Sequence, residues 1–290
     1  MSGNAPGGRS PVARRRPVLD AVRWAVFVVA VLALNFPVLS TLLTSLKSAA
    51  EISSNPGFIV LAPTLENYRA VFSATDRLDI GAYLVNSAAA ATIGALLPLV
   101  LCFPAAWAIA RRGYGRRVLV PVMMNLRVLP LVVFAIPLYM MYQWVGLLDT
   151  RLGLGLILAI VNLPLTLVLL INAIDEVPVE LEEAARADGV RTANVLLRIV
   201  APLCAPAIGV AFVFGFITAW NEFLFGLILT TTRAVPVTVG ASFFFSAGGG
   251  GVQWGVAAAV MIVAAAPPML LGLLLYRRIG RSLGAGAVKG

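Results

Sequence analysis

The chain has 290 residues, 60% of them hydrophobic and 12% charged, with a formal net charge of +9 and a mean hydropathy of +0.94. A soluble domain carries about 25% charged residues, and here apolar runs of about 20 residues recur, each long enough to cross a bilayer. The composition therefore predicts an all-α membrane protein; the alternating short-strand pattern of a membrane barrel is absent. With no histidine in the chain, histidine-based metal and acid–base sites are excluded. The arginines sit in short clusters between apolar runs, which fits membrane orientation and not a nucleic-acid face.

In chain order, residues 1–21 form a basic tail with Arg14, Arg15 and Arg16. The run Val22–Leu46 exceeds a signal-peptide core of about 7–15 residues and reads as an uncleaved first span, with a kink expected near Pro37. Within polar residues 47–82, Pro63–Phe72 predicts a short amphipathic helix at the membrane surface. Thr64 would be its N-cap, and Leu65, Tyr68, Val71 and Phe72 its apolar face. Span two covers 83–110 and closes on the arginine-rich turn 111–117. Span three covers 118–143 and holds Pro121, Pro130 and Pro137, so a broken or bent helix is expected. A turn at Gly146–Gly153 leads to span four, 154–174. The polar stretch Val177–Pro202 follows, then span five at 203–230. A segment with Gly248–Gly251 precedes span six at 253–276, and the tail is 277–290. Six spans thus lie within 22–276. Cys102 and Cys204 sit in or beside apolar runs and read as buried small hydrophobes.

Sixteen of the 22 Lys and Arg residues, counting Arg23 at the start of the first span, fall on the side shared by the N-terminal tail, the 111–117 turn, the 177–202 stretch and the C-terminal tail. Five fall on the other side: Lys47, Arg69, Arg77, Arg151 and Arg233. The positive-inside rule puts both termini and the 177–202 stretch in the cytoplasm. In that stretch Pro178 suits a first helical position. Glu180, Glu182 and Glu183 complement the dipole at a helix start, and Glu182 lies four residues before Arg186 in the favourable order. Leu181, Ala184 and Ala185 form a shallow apolar face. Gly189 fits a left-handed stop, and a second helix begins near Thr192 and bends at Pro202. These residues predict two short helices on the membrane surface.

Glu183-Ala184-Ala185, Gly189 six residues after the glutamate, Ile199 and Pro202 together resemble the EAA loop of ABC-importer permease subunits, with Ala201 where leucine is usual. PTLENYRAVF at 63–72, IPLYMMYQWVGLLDT at 136–150, AWNEFLFGL at 219–227 and GAGAVKG at 284–290 are similar to the maltose-type carbohydrate branch, and most to its shorter, six-span partner. The resemblance implies a type I importer permease fold and a second permease subunit. It also implies two cytoplasmic ATPase subunits that bind ATP and magnesium, and an extracytoplasmic solute-binding protein. Glu183, Ala184, Ala185, Gly189, Ile199 and Pro202 would form the ATPase-coupling element, and the C-terminal tail would reach toward the ATPases. No cofactor is expected in this chain, which would do no covalent chemistry. Gly248–Gly251 lacks the Lys-Ser/Thr of a phosphate loop.

Glu222 and Arg127 are the charges left inside expected spans. Such residues face a cavity or a partner. Trp220, Asn221, Glu222 and Phe223 combine an aromatic face with an amide and a carboxylate, which suits a sugar. They join Arg127 and Asn125 as pathway candidates, with Asn162 and Asn172 behind them. The alternative for the polar residues is interhelical linkage, including a Glu222–Arg127 pair. A self-contained secondary transporter or channel is the competing function, although no two-fold repeat is apparent. An intramembrane enzyme would need clustered acids or a nucleophile with a base, which this chain lacks.

Overall fold

The computed structural model describes residues 17–73, 78–245 and 252–286, with the side chains of all but 17–19, 126 and 275–286. The start of the basic tail, Gly248–Gly251 and the last four residues lie outside the described residues. Fourteen helices are described: α1 Pro17–Ser45, α2 Ala49–Ser54, α3 Glu66–Phe72, α4 Ile80–Arg112, α5 Leu119–Leu126, α6 Ala135–Trp144, α7 Arg151–Asp175, α8 Val179–Ala187, α9 Thr192–Val195, α10 Ala201–Leu203, α11 Ala205–Trp220, α12 Leu224–Leu229, α13 Val237–Phe243 and α14 Trp254–Gly286. Four are long and apolar enough to cross a membrane; the bent pair Thr192–Leu203 and Ala205–Trp220, at 78° to one another, makes a fifth. The expected third span is interrupted. After α5 the chain extends at Pro130, makes a 3-10 turn at Leu131–Phe134 and resumes as α6. The third span, and with it a total of six, therefore stays an expectation. Two boundaries are corrected. Span five ends at Trp220 and resumes only as the short α12. Span two continues through Arg112, so Arg111 and Arg112 are helical, and Gly113 closes the helix at φ +70°.

The centre of the bundle is α4, packed along α7 and crossed by α11. Helices α4 and α7 run the same way: Arg151 at the start of α7 bonds Asn86 near the start of α4, at 2.6 Å. At the far end, Arg116 pairs with Asp175 at 2.5 Å. Helices α4 and α7 approach closely because a glycine of one lies under a larger side chain of the other. A Cβ on Gly94 would lie 2.9 Å from the Leu158 Cβ, and one on Gly155 would lie 2.7 Å from the Ile93 Cβ. Pro98 has no N–H, so the Gly94 carbonyl four residues earlier loses its helical donor. Asn162 of α7, 3% exposed, donates its amide to that carbonyl at 3.0 Å and to the Gly215 carbonyl of α11 at 2.9 Å. One side chain thus repairs a proline gap and pins three helices at mid-height. Trp220 acts likewise for α14: its indole N–H donates to the Ala264 carbonyl at 3.0 Å, the group freed by Pro268.

At the end of the bundle away from residues 177–202, buried polar groups tie the loops. Asp149 adopts φ +53°, and its carboxylate accepts backbone N–H bonds from Thr231, Thr232, Arg233 and Ala234. Burial pushes the Asp149 carboxyl up, but the N–H bonds from Arg233, Thr231 and Ala234 outweigh it and hold the carboxyl well below the usual carboxylate range. Lys47, 3% exposed, donates to the carbonyls of Asn55 and Gly57. The α3 face differs from expectation. Val71 and Asn67 turn inward, while Leu65 and Phe72 are each 59% exposed. The cause is Asn67, whose amide donates to the Ser45 and Lys47 carbonyls at 2.9 and 2.8 Å. Thr64 caps from one position further out than expected, accepting from the Glu66 N–H.

Two predictions follow from these ties. Replacing Asn162 by Leu should lower the stability of the detergent-solubilised protein by about 1–2 kcal/mol, at the upper end for membrane hydrogen bonds, in a thermal unfolding assay. Asp149→Asn keeps the tolerated left-handed backbone but loses the charge, at about 1.5–3 kcal/mol. Because the folded carboxyl is depressed, its contribution is full above the ordinary value of about pH 3.9 and is lost as pH falls below it. Wild type and Asp149→Asn should therefore converge in acid; a gap that persists or widens there would contradict the assignment.

Candidate functional site

Residues 175–204 form the polar end of the bundle. Pro178 is the residue before α8, with an extended ψ of 126°, one position earlier than the sequence suggested. Helix α8 ends in a Schellman stop: Val190 N–H bonds the Ala185 carbonyl and Gly189 N–H bonds the Arg186 carbonyl, each at 3.0 Å, around Gly189 at φ +79°. Only glycine takes this conformation without strain. Helix α9 starts at Thr192, as expected, and passes through a π-helical turn at Leu196–Val200 into α10. Ile199 lies in that turn and Pro202 in α10, before the 78° bend into α11.

The two adjacent glutamates of α8 face opposite ways. Glu183 and Ala184 are exposed, Ala185 is half-buried and Leu181 is 46% exposed. Glu182 is fully buried. Its Oε1 accepts from Arg111 Nε at 2.7 Å; its Oε2 accepts from the Trp107 indole N–H at 2.8 Å and from Arg186 Nη2 at 3.0 Å. Arg111 Nη2 also donates to the Val177 carbonyl at 2.8 Å. The guanidinium groups of Arg112 and Arg186 lie 5.8 and 5.7 Å from the Trp107 ring centroid, a cation–π arrangement. An uncompensated buried carboxylate costs several kcal/mol; here three donors supply the compensation. Beneath the clamp, Trp107 and Ile109 of α4, Ile174, Val177, Val200 and Cys204 share one apolar cluster. The sequence flagged the Glu182–Arg186 spacing but not this clamp. The available signal was Trp107 and Arg111, four apart at a span end, two donors in need of an acid.

The expected pathway residues do not converge. Trp220 is 3% exposed, stacked on Phe216 at a centroid distance of 5.6 Å, and its N–H is engaged with α14, so its ring has no open face for a ligand here. Asn221 donates to the Ile217 carbonyl of its own helix at 2.9 Å. Glu222 caps α12, accepting from the N–H groups of Leu224 and Phe225 at 2.8 and 3.2 Å. It lies at the break between α11 and α12. Phe223 is 43% exposed. Arg127, exposed at the end of α5, lines a cavity of about 400 Å³ with Met123, Phe134, Ile157, Ile160 and Phe225. The walls are apolar, and the cavity sits beside the middle of α7. Glu222 reaches the Phe225 backbone at its edge, but among the described residues no ion pair joins Glu222 to Arg127. Asn125 and Asn172 are exposed, whereas Asn162 is the interhelical link described above. Among the described residues no cluster of acids and cysteines could hold a metal.

Residues 100–284 match the family model for the binding-protein-dependent transport system inner membrane component. The chain belongs to this family. The matched stretch contains the α8 loop, the last part of α4 and helices α5 to α13. Similar relatives include the sulfoquinovosyl glycerol transport system permease protein SmoH of Agrobacterium fabrum, 32% identical over 70% of this chain and 72% of the relative. The trehalose transport system permease protein SugB of Mycobacterium tuberculosis is 33% identical over 74% of this chain and 77% of its own length. The fold is that of a bacterial ABC transporter involved in import of the acidic polysaccharide alginate, with a TM-score of 0.73 at 20% identity, covering 94% of this chain and 99% of that one. The present chain is thus a multi-pass permease subunit of a binding-protein-dependent transport system.

The opposed faces of α8 give a graded prediction. Glu182→Ala strands Arg111 and should cost about 3–5 kcal/mol. Gly189→Ala forces a left-handed alanine and should cost about 1–2 kcal/mol. Glu183→Ala, on the exposed face, should stay within about 0.5 kcal/mol. Unfolding of the three variants in detergent checks the order; a Glu183 variant as damaged as the Glu182 variant would reverse the assignment of faces.

Proposed function

We propose that this permease subunit imports a carbohydrate or carbohydrate-like solute, driven by ATP hydrolysed on partner subunits. The observation that carries the reading is the exposed Leu181–Glu183–Ala184 face of α8, presented outward while the opposite face is locked to the bundle. Ala184, with the half-buried Ala185, leaves room beside the acid for another backbone, as a docking helix requires. The carbohydrate class is supported by the names of the relatives, which carry sulfoquinovosyl glycerol and trehalose.

In this reading residues 177–202 lie in the cytoplasm with both termini, in line with the positive-inside distribution. Glu183, Ala184, Ala185 and Gly189 dock on an ATPase subunit, with Ile199 and Pro202 shaping the return into α11. A second permease subunit completes the pathway, and a solute-binding protein delivers substrate to the end held by Asp149 and Lys47. ATP and magnesium belong to the ATPases; this chain contributes docking and alternating access. Arg127 and its apolar cavity, next to the Glu222-capped helix, are the candidate stretch of the pathway.

The test is to co-express the chain with its partner permease, ATPase and binding protein, and to introduce Glu183→Arg and Ala184→Asp. Both substitutions should lower co-purified ATPase and ATP-dependent uptake by about tenfold, a coupling change of about 1.4 kcal/mol, with membrane levels of the chain unchanged. Undiminished assembly and uptake would rule out the docking role. Uptake by the chain alone in liposomes without ATP would favour a self-contained transporter.

A further inference from the structure

Helix α8 is joined to the bundle in three ways, and they differ in stiffness. On its N-terminal side the link is Glu176–Pro178, a turn out of α7 that becomes extended only at Pro178. On its C-terminal side the chain passes through the left-handed Gly189, a π-helical turn and the 78° bend at Cys204. Both covalent links run through backbone outside regular α-helix. The third link is not covalent. The Glu182 carboxylate, with no exposed surface, receives Arg111 and Trp107 from α4 and Arg186 from α8 itself, while Arg111 also holds the Val177 carbonyl. Sliding α8 against α4 would strip a buried carboxylate of its charged donors, which costs more than the single neutral hydrogen bonds lost by bending a covalent link.

We infer that Glu182 is a positioning residue that makes α8 and the adjoining end of α4 one mechanical unit, so that displacement of the loop enters the bundle through α4. The consequences follow from the packing. Helix α4 lies along α7 and is crossed by α11, with Asn162 fastening all three at mid-height. A push on the exposed face of α8 is therefore delivered to the cytoplasmic end of α4 and shared with its two neighbours, instead of being absorbed at Gly189 or at the bend. Glu183 makes the outward contact and Glu182 the inward one. The inference rests on the ATP-driven reading above for the source of the push; the clamp itself does not depend on it.

The experiment uses the complete transporter with paired spin labels. Cys102 and Cys204 are buried, so introduced cysteines can be labelled selectively, and Ala187, Ala105 of α4 and Met269 are exposed. A label pair at 187 and 105 reports whether α8 stays with α4; a pair at 105 and 269 reports movement of the α4 end against α14. Distances are measured without nucleotide and after trapping with ATP and vanadate. In the wild type the 187–105 distance should be unchanged between states while the 105–269 distance shifts. In Glu182→Gln the pattern should invert, with co-purified ATPase retained and ATP-driven uptake down by about tenfold, within the usual range of a coupling free energy. Trp107→Phe removes one donor and keeps the ring packing, so it should give an intermediate pattern even where the Glu182 variant is poorly expressed. A wild type in which α8 moves against α4, or a Glu182→Gln transporter indistinguishable from wild type, overturns the inference and leaves the ATP-driven reading standing. A wild type that retains no ATPase overturns both.

Discussion

A carboxylate with no access to water sits in the most polar stretch of this protein, and the arrangement of that end depends on it. Glu182 can be buried only because α4 extends far enough to bring Trp107 and Arg111 to it, and because α8 places Arg186 one turn away. Burying the ion fixes the rotation of α8 about its axis. That rotation turns Glu183, Ala184 and Leu181 outward. The free face of α8, the proposed docking surface, is thus a consequence of the occupied face behind it.

A second constraint acts within the bundle. The spans are rich in proline, and each proline leaves a carbonyl without its helical donor where no water can substitute. The structure answers two of these gaps with side chains from other helices: Asn162 serves the Gly94 carbonyl and Trp220 the Ala264 carbonyl. Each repair also ties helices together, so kinks that would weaken single spans become fastenings between them. The same economy of donors explains why Asn221 and Glu222 bond their own backbone at the break between α11 and α12, where the residues resemble a sugar-binding cluster when read in one dimension.

The helical class, the principal apolar spans, the position of Gly189 and the start of α9 were legible in the sequence, because periodicity, capping and left-handed stops are local. The break at Pro130 was legible in kind, from three prolines in one apolar run. What was not legible depends on contacts distant in the chain. Two neighbouring glutamates look alike in a helix start, and only α4, some seventy residues earlier, distinguishes buried Glu182 from exposed Glu183. Trp220 reads as a stacking platform until α14 is packed against it. Asn67 overrides the apolar face expected for α3 because two carbonyls at the end of α1 need its amide.

The central claim is that the outward face of α8 meets an ATPase subunit in the cytoplasm. Its most direct test is a photo-reactive amino acid placed at Ala184 in the assembled transporter in membranes, followed by identification of the cross-linked product. The account predicts a cross-link to the ATPase subunit, and none from the same group at Met269 on α14. Cross-linking of Ala184 only to lipid, or to an extracytoplasmic protein, would contradict it.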